Sequence, residues 1–309
     1  MSARIPAFLS NEGWSGAALE PIAGDASARS YARLVRPDGA RAVLMDDPAG
    51  PEPVRRFAAV ADRLAAAGLR PPAILAAAPE AGLMLLEDLG DDLMSARLDR
   101  MPGAATGLYL LATDMLLGLR DADPAGLPPF GPEEMADAAD LAWTEWAGGS
   151  GRAPWRGPLR EALETHEGGR PVTILRDCHA GNLICQGQGD APVLRVIDFQ
   201  DAMAGPDGYD LISLLQDARR DVPREAAATS LDRWREATGD EAGALSARLA
   251  ALGAQRALRI LGVFARLARS GKGGYLVHAP RVRAHLDANL AHPSLGALRE
   301  AVRLPAAPA

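Results

Sequence analysis

Leu175-Arg176-Asp177-Cys178-His179-Ala180-Gly181-Asn182, followed by Val196-Ile197-Asp198-Phe199, is the part of the chain that decides its fold. An Asp stands five residues before an Asn, and a second Asp follows beyond a glycine-containing turn. Thr173-Ile174-Leu175 is an apolar run leading in, Leu183-Ile184-Cys185 leads out, and Val193-Leu194-Arg195-Val196-Ile197 ends at the second Asp. Strand, loop, strand, turn, strand is the pattern, and it sets both acids at one rim. A lone D-x-x-x-x-N is an ordinary turn, but these three flanking runs give it a structural setting.

Asp, Asn, Asp in this order is the grammar of kinase-type phosphoryl transfer. One carboxylate orients the acceptor hydroxyl, while an amide oxygen and a second carboxylate hold the magnesium ions that bridge nucleotide phosphates. The chain resembles the superfamily of aminoglycoside phosphotransferases and choline kinases over nearly its whole length. Four stretches resemble, within it, the bacterial anomeric kinases of N-acetylmuramate and N-acetylglucosamine that serve cell-wall recycling. They are Gly24-Asp25-Ala26-Ser27-Ala28-Arg29-Ser30-Tyr31, Val43-Leu44-Met45-Asp46-Asp47-Pro48, Ile197-Asp198-Phe199-Gln200-Asp201-Ala202 and the segment from Gln255 to Arg266. The resemblance makes Asp177 the catalytic base and Asn182 and Asp198 the metal ligands. It makes Asp210, in Gly208-Tyr209-Asp210-Leu211, an acid that braces the catalytic loop from behind. It implies ATP and Mg2+ as cofactors and a small-molecule sugar as substrate. One departure is Leu175, where members often carry His two residues before the base.

The chain has 309 residues, 48% hydrophobic and 24% charged, which suits a soluble globular protein of about two domains. The N-terminus lacks the apolar core of a signal peptide, and no run is long enough to span a membrane, so a cytoplasmic protein is expected. A net charge of -7 argues against non-specific nucleic-acid binding, and no obligate protein partner is evident. The two cysteines, Cys178 and Cys185, match no zinc spacing, and Cys178 reads as a small buried spacer rather than a reactive thiol.

Tyr31 to Val35, then Pro37-Asp38-Gly39, then Ala42 to Met45 predict a hairpin. Val54, Phe57, Ala58, Ala61, Leu64 and Ala65 recur at helical spacing behind Pro53, with Gly68 as the stop. Leu83 to Leu86 is a further strand. Hairpin, helix and strand describe the small nucleotide-gripping lobe of a kinase, residues 1–90. Helical patterns near 104–120, 132–147, 207–218, 224–237, 241–269 and 280–290 describe the larger lobe, 91–309. The fold class expected is therefore α+β, a bilobal protein-kinase-like fold with a β-rich N-lobe and a mainly helical C-lobe. Its hinge falls near 87–92, where backbone groups of Glu87 and Leu89 can meet an adenine edge.

Kinases of this grammar carry a Lys on the strand after the glycine loop. Here that position is Met45, and the only lysine of the chain is Lys272. Arg29, Arg33 and Arg41, on or beside the hairpin, are the candidates to contact phosphate in its place, since a guanidinium grips phosphate oxygens bidentately. Asp25 and Ser27, with Arg29, form the candidate phosphate cover. A catalytically dead nucleotide binder is the competing explanation of the missing lysine.

For the acceptor, the overall negative charge favours a polycation such as an aminoglycoside, and the motifs favour an amino sugar. A charge is a whole-surface property, whereas an acceptor pocket is local, so the amino sugar is preferred. His179, Gln200 and Asp201 flank the acids and are candidates for touching acceptor or metal-bound water. The arginines between Arg256 and Arg283 either line a pocket or decorate a helix.

Overall fold

The computed structural model describes residues 4–22, 29–187 and 192–308. Strands β1 (Ala18–Ile22), β2 (Ser30–Val35), β3 (Arg41–Asp46), β4 (Ile74–Ala78) and β5 (Leu83–Glu87) form an antiparallel sheet in the order β1-β2-β3-β5-β4. The β2–β3 hairpin turns at Pro37-Asp38-Gly39. There Gly39 adopts a φ of 85°, which a side chain resists, and the Asp38 carboxylate accepts the Ala40 N–H at 3.0 Å. Successive β3 side chains point to opposite faces. Ala42 and Leu44 pack against Ile5, Phe8 and Leu9 of α1 (Arg4–Asn11), while Met45 packs with Met84, Val54 and Phe57 on the other face.

Helix α2 (Pro51–Ala66) covers that second face. It begins with Pro in its first turn, buries Val54, Phe57, Val60, Ala61 and Leu64, and stops where Gly68 takes a φ of 81°. Burying each large apolar side chain of this stripe is worth about 1.5–3 kcal/mol. The sheet is wider than the predicted hairpin and strand because β1 and β4 escape the sequence pattern. β1 contains Pro21 and sits at an edge, where a missing N–H is tolerated. β4, Ile-Leu-Ala-Ala-Ala, is alanine-rich and bulged between Ile74 and Ala76.

The rest is mainly helical: α3 (Met94–Arg100), α4 (Ala105–Leu119), α5 (Pro132–Leu141), α6 (Arg156–Thr165), α7 (Tyr209–Leu215), α8 (Arg224–Thr238), α9 (Ala242–Arg269), α10 (Ala279–Leu290) and α11 (Gly296–Ala301). The helix expected over 132–147 ends at Leu141 and passes into a π-helical turn, Ala142–Trp146. The 28-residue α9 is buried on most sides and forms the axis of this part, packing against α5, α7 and α10. Gly262 lets it approach the Leu141 backbone more closely than any side chain would permit. Two short ladders complete the fold: β6 (Val172–Ile174) with β9 (Met203–Gly205), and β7 (Leu183–Gln186) with β8 (Val193–Val196). β6, β7 and β8 are the three runs read from sequence. β9, Met-Ala-Gly, has too little strand character to be legible.

Candidate active site

The β7–β8 ladder pairs Leu183 with Val196, and the Ile197 N–H donates to the Asn182 carbonyl at 3.1 Å one step further. Asn182 and Asp198 therefore leave the same end of one hairpin. Asp177 reaches them from β6 along a braced loop. The two oxygens of the buried Asp210 accept the Leu175 N–H at 2.6 Å and the Arg176 N–H at 3.0 Å, and the Asn182 side-chain amide donates to the Asp177 carbonyl at 2.9 Å. That bond uses the nitrogen of Asn182 and leaves its amide oxygen available as an acceptor. Arg176 (φ 72°) and Asp198 (φ 58°) are the non-glycine residues with left-handed backbone among those described. Such conformations cost about 1–3 kcal/mol each and persist where surrounding contacts enforce them. Asp177, Asn182 and Asp198 all line one cleft of about 710 Å³ between the sheet and the helical part.

Burial pushes the Asp177 carboxyl up, but His179 foremost, with Arg256 and Arg259, outweighs it and holds the group well below the usual carboxylate range. His179 Nδ1 accepts the Gly181 N–H at 3.0 Å, and its Nε2 stands 3.7 Å from Asp177 Oδ2 and 2.5 Å from Nη1 of Arg219. Arg256, buried, donates from Nη1 to the Gln216 carbonyl at 2.9 Å and brings Nη2 to 3.9 Å from Asp177 Oδ1. A carboxylate held this firmly ionised accepts and orients a hydroxyl hydrogen better than it stores a proton. Asp210 behaves oppositely: burial pushes it up to about 7, against the two backbone N–H bonds and Arg256, which favour its charge.

Asp198 accepts from Nε2 of the buried Gln200 at 2.9 Å, which orients its carboxylate. Asp201 lines the cleft and stands 3.6 Å from Arg56 on α2. No cluster of three His, Cys, Asp or Glu side chains suited to a metal occurs among the described residues. Asn182 and Asp198 instead make an open set of hard oxygen donors, which suits Mg2+, an ion that keeps waters and shares phosphate oxygens. Cys178 is buried and its thiol is pushed up by that burial, as a spacer requires; Cys185 is buried as well.

Across the cleft, Arg29 donates from Nε to Asp47 at 2.9 Å and approaches the Tyr31 hydroxyl at 3.5 Å. Arg33 bridges Asp88 at 2.8 Å and Asp91 at 2.7 Å, and these partners raise its pKa further. Both arginines line the cleft, whereas the exposed Arg41 does not. Met45 needs correction as a nucleotide contact: it is wholly buried in the core with Met84 and α2 and does not line the cleft. Glu87 needs a partial one. Its N–H is taken by the Ala73 carbonyl at 2.8 Å and its carboxylate by Arg195, so its amide cannot serve a ligand. Leu89 lines the cleft. Asp25 and Ser27 lie outside the described residues. Val43 and Leu86 on the sheet face Ile184 and Ile197 below, giving an apolar slot suited to a planar ring.

Two features escaped the sequence reading, and the alternative left open for the arginine-rich segment divides along its length. Arg195 on β8 donates to both oxygens of Glu87 (3.1 and 2.6 Å) and to the carbonyls of Arg70 and Pro71, strapping the helical part to the sheet. Arg219 lines the cleft beside His179. Of the arginine-rich segment, Arg256 and Arg259 line the cleft, while Arg269 pairs with Glu145 and Arg283 with the Pro305 carbonyl outside it. Helical spacing of two arginines inside an otherwise apolar stretch was the available signal.

A five-stranded sheet over a helical body, with an Asp-Asn-Asp rim in the cleft between them, is the protein-kinase-like architecture of phosphotransferases. The model of the family described as "Phosphotransferase enzyme family" matches residues 18–252, and the chain belongs to that family. It is 35% identical to the N-acetylmuramate/N-acetylglucosamine kinase of Caulobacter vibrioides, over 95% of this chain and 93% of that one. It is 34% identical to the enzyme of the same description from Pseudomonas aeruginosa, over 96% and 92%. Choline kinase LicA from Streptococcus pneumoniae superposes with a TM-score of 0.65 at 16% identity, over 92% of this chain and 98% of that one. Among the described residues no helix is long and apolar enough to cross a membrane.

Proposed function

We propose that the protein is an ATP-dependent sugar kinase that phosphorylates the anomeric hydroxyl of N-acetylmuramate, N-acetylglucosamine or both, in the cytoplasm, during cell-wall recycling. The observation that carries this reading is the convergence of Asp177, Asn182 and Asp198 on one cleft that is basic around Asp177, where Arg219, Arg256 and Arg259 line it. Relatives described as kinases of these two sugars match over more than nine-tenths of the chain. A basic acceptor end welcomes a carboxylate-bearing sugar and repels a polycationic aminoglycoside, so local charge overrides the net charge of -7.

In this reading residues 1–90 and 91–309 act as two lobes with a hinge at 87–92. Val43, Leu86, Ile184 and Ile197 sandwich the adenine, and Leu89 offers backbone to its edge. Asn182 and Asp198 would hold Mg2+, which would supply charge neutralisation at the phosphates. Asp177 accepts a hydrogen bond from the sugar hydroxyl and aligns its oxygen for in-line attack, receiving the proton as transfer completes. Asp210 fixes the loop that carries Asp177, and Gln200 fixes Asp198. Arg29 and Arg33 supply cationic charge at the sheet wall, where a lysine usually stands, and Asp25 and Ser27, outside the described residues, are further candidates for phosphate contact.

Purified protein incubated with ATP, Mg2+ and, separately, N-acetylmuramate, N-acetylglucosamine, choline and kanamycin tests the reading through ADP release. Sugar-dependent ADP is expected. ADP release with kanamycin alone overturns the sugar assignment, and nucleotide binding without turnover on any acceptor makes the protein an ATP-binding regulator.

A further inference from the structure

Arg256 and Arg259 stand three residues apart on α9, on one face and about 4.5 Å apart along its axis. They differ in commitment. Arg256 is held by the Gln216 carbonyl and lies beside Asp177. Arg259 has no carboxylate within ion-pair distance among the described residues and has the Tyr209 hydroxyl as its side-chain neighbour; its Nε, like that of Arg256, is buried without a hydrogen-bond partner. Its charged surroundings are Asp177, Arg256 and Arg176, with the Tyr209 phenol beside it. Ile260, Val263 and Phe264 line the cleft on the same helix, so a ligand meeting Arg259 does so in a largely apolar wall. Tyr275 packs near the Phe264 ring at 5.7 Å and extends that apolar surface.

A buried guanidinium nitrogen without a partner is costly unless a ligand completes it. N-acetylmuramate is N-acetylglucosamine bearing a lactyl ether on O3, and its carboxylate is the one charge that separates the two sugars. With the anomeric hydroxyl at Asp177, O3 stands two ring carbons away, and the lactyl ether carries its carboxylate outward from there, within the same cleft as Arg259. We infer that Arg259 reads the lactyl carboxylate and sets the preference of the site for N-acetylmuramate over N-acetylglucosamine; the inference rests on the sugar-kinase reading above. Arg256 has a different part, as a positioning residue for Asp177.

The test compares kcat/KM for the two sugars, as a ratio, in the wild-type protein and in Arg259→Gln, with thermal melting of both. The ratio of N-acetylmuramate to N-acetylglucosamine should fall about 10- to 100-fold, the range of one charge-assisted hydrogen bond, mainly through KM for N-acetylmuramate. The methyl ester of N-acetylmuramate removes the charge from the ligand instead and needs no variant. Wild-type protein should use the ester about 10- to 100-fold less well than the acid, and Arg259→Gln should barely distinguish them. An unchanged ratio in the variant, or an ester used as well as the acid by the wild type, overturns the role of Arg259 while leaving the sugar-kinase reading intact. Failure of the wild type to turn over either sugar removes that reading and this inference with it.

Discussion

The rim at 174–198 and the sheet wall opposite both hold charge still inside one cleft, by different means. At the rim the order is local. Two adjacent backbone N–H groups are gripped by Asp210, one hairpin presents Asn182 and Asp198 together, and the Asn182 amide is tied to the Asp177 carbonyl. On the wall, Arg29 and Arg33 are held by Asp47, Asp88 and Asp91, acids contributed from β3's end and from beyond β5. A local device keeps its spacing in the sequence, so it is recognisable there. A dispersed one trades residues freely: position 45 is a buried methionine, and arginines held by acids line the wall instead.

Replacing Asp177 by Ala breaks the local side of this comparison most severely. Turnover should fall a hundred- to ten-thousand-fold, about 3 to 5 kcal/mol, with nucleotide affinity nearly unchanged, as steady-state ADP release and a nucleotide titration will report. Arg195→Ala cuts the strap between the two sides. Arg195 is buried but Glu87 is a third exposed, so water screens the pair, and its loss together with the two carbonyl contacts should cost about 1–2 kcal/mol in a denaturant titration. Preserved stability would show that the sheet and helical part are joined elsewhere.

Asp210→Asn sharpens the account of the rim, because an amide NH2 must then face one of two backbone donors. The folded carboxyl titrates near 7, above its ordinary 3.8. The stability it confers is therefore complete below about 3.8 and lost as pH rises to about 7. The penalty of the variant, measured by urea unfolding, should accordingly be about 2 kcal/mol larger at pH 5 than at pH 8. The smallest effect is expected on the dispersed wall. Arg29→Gln should raise KM for ATP about tenfold, roughly 1.4 kcal/mol, with Arg33 still present to carry part of the load. An effect as large as that of Asp177 would mean the wall depends on one cation after all.

Legibility followed the same division. β6, β7, β8, α2, α4, α8, α9 and α10 follow from apolar periodicity and their caps. β1 and β4 did not, since a proline at an edge and a run of alanines mask strand character. Asp177, Asn182 and Asp198 stood out by the spacing of their motif, and Asp210 by the resemblance of Gly208-Tyr209-Asp210-Leu211 to a superfamily stretch. Arg195 did not, because its partners across the strap, Arg70, Pro71 and Glu87, lie more than a hundred residues away and two of them accept through carbonyls, while the nearby Gln186 gives no hint of them. Arg256 and Arg259 were visible as arginines in an apolar stretch, but which side of α9 faces the cleft depends on how that helix packs.

The left-handed backbone of Asp198 also dictates how its chemistry is best interrogated. Asparagine is among the few side chains at ease at a φ near 58°, so exchanging carboxylate for amide removes the charge and keeps the chain path. Alanine there would mix a missing oxygen with a relaxed main chain, and its phenotype could be assigned to neither.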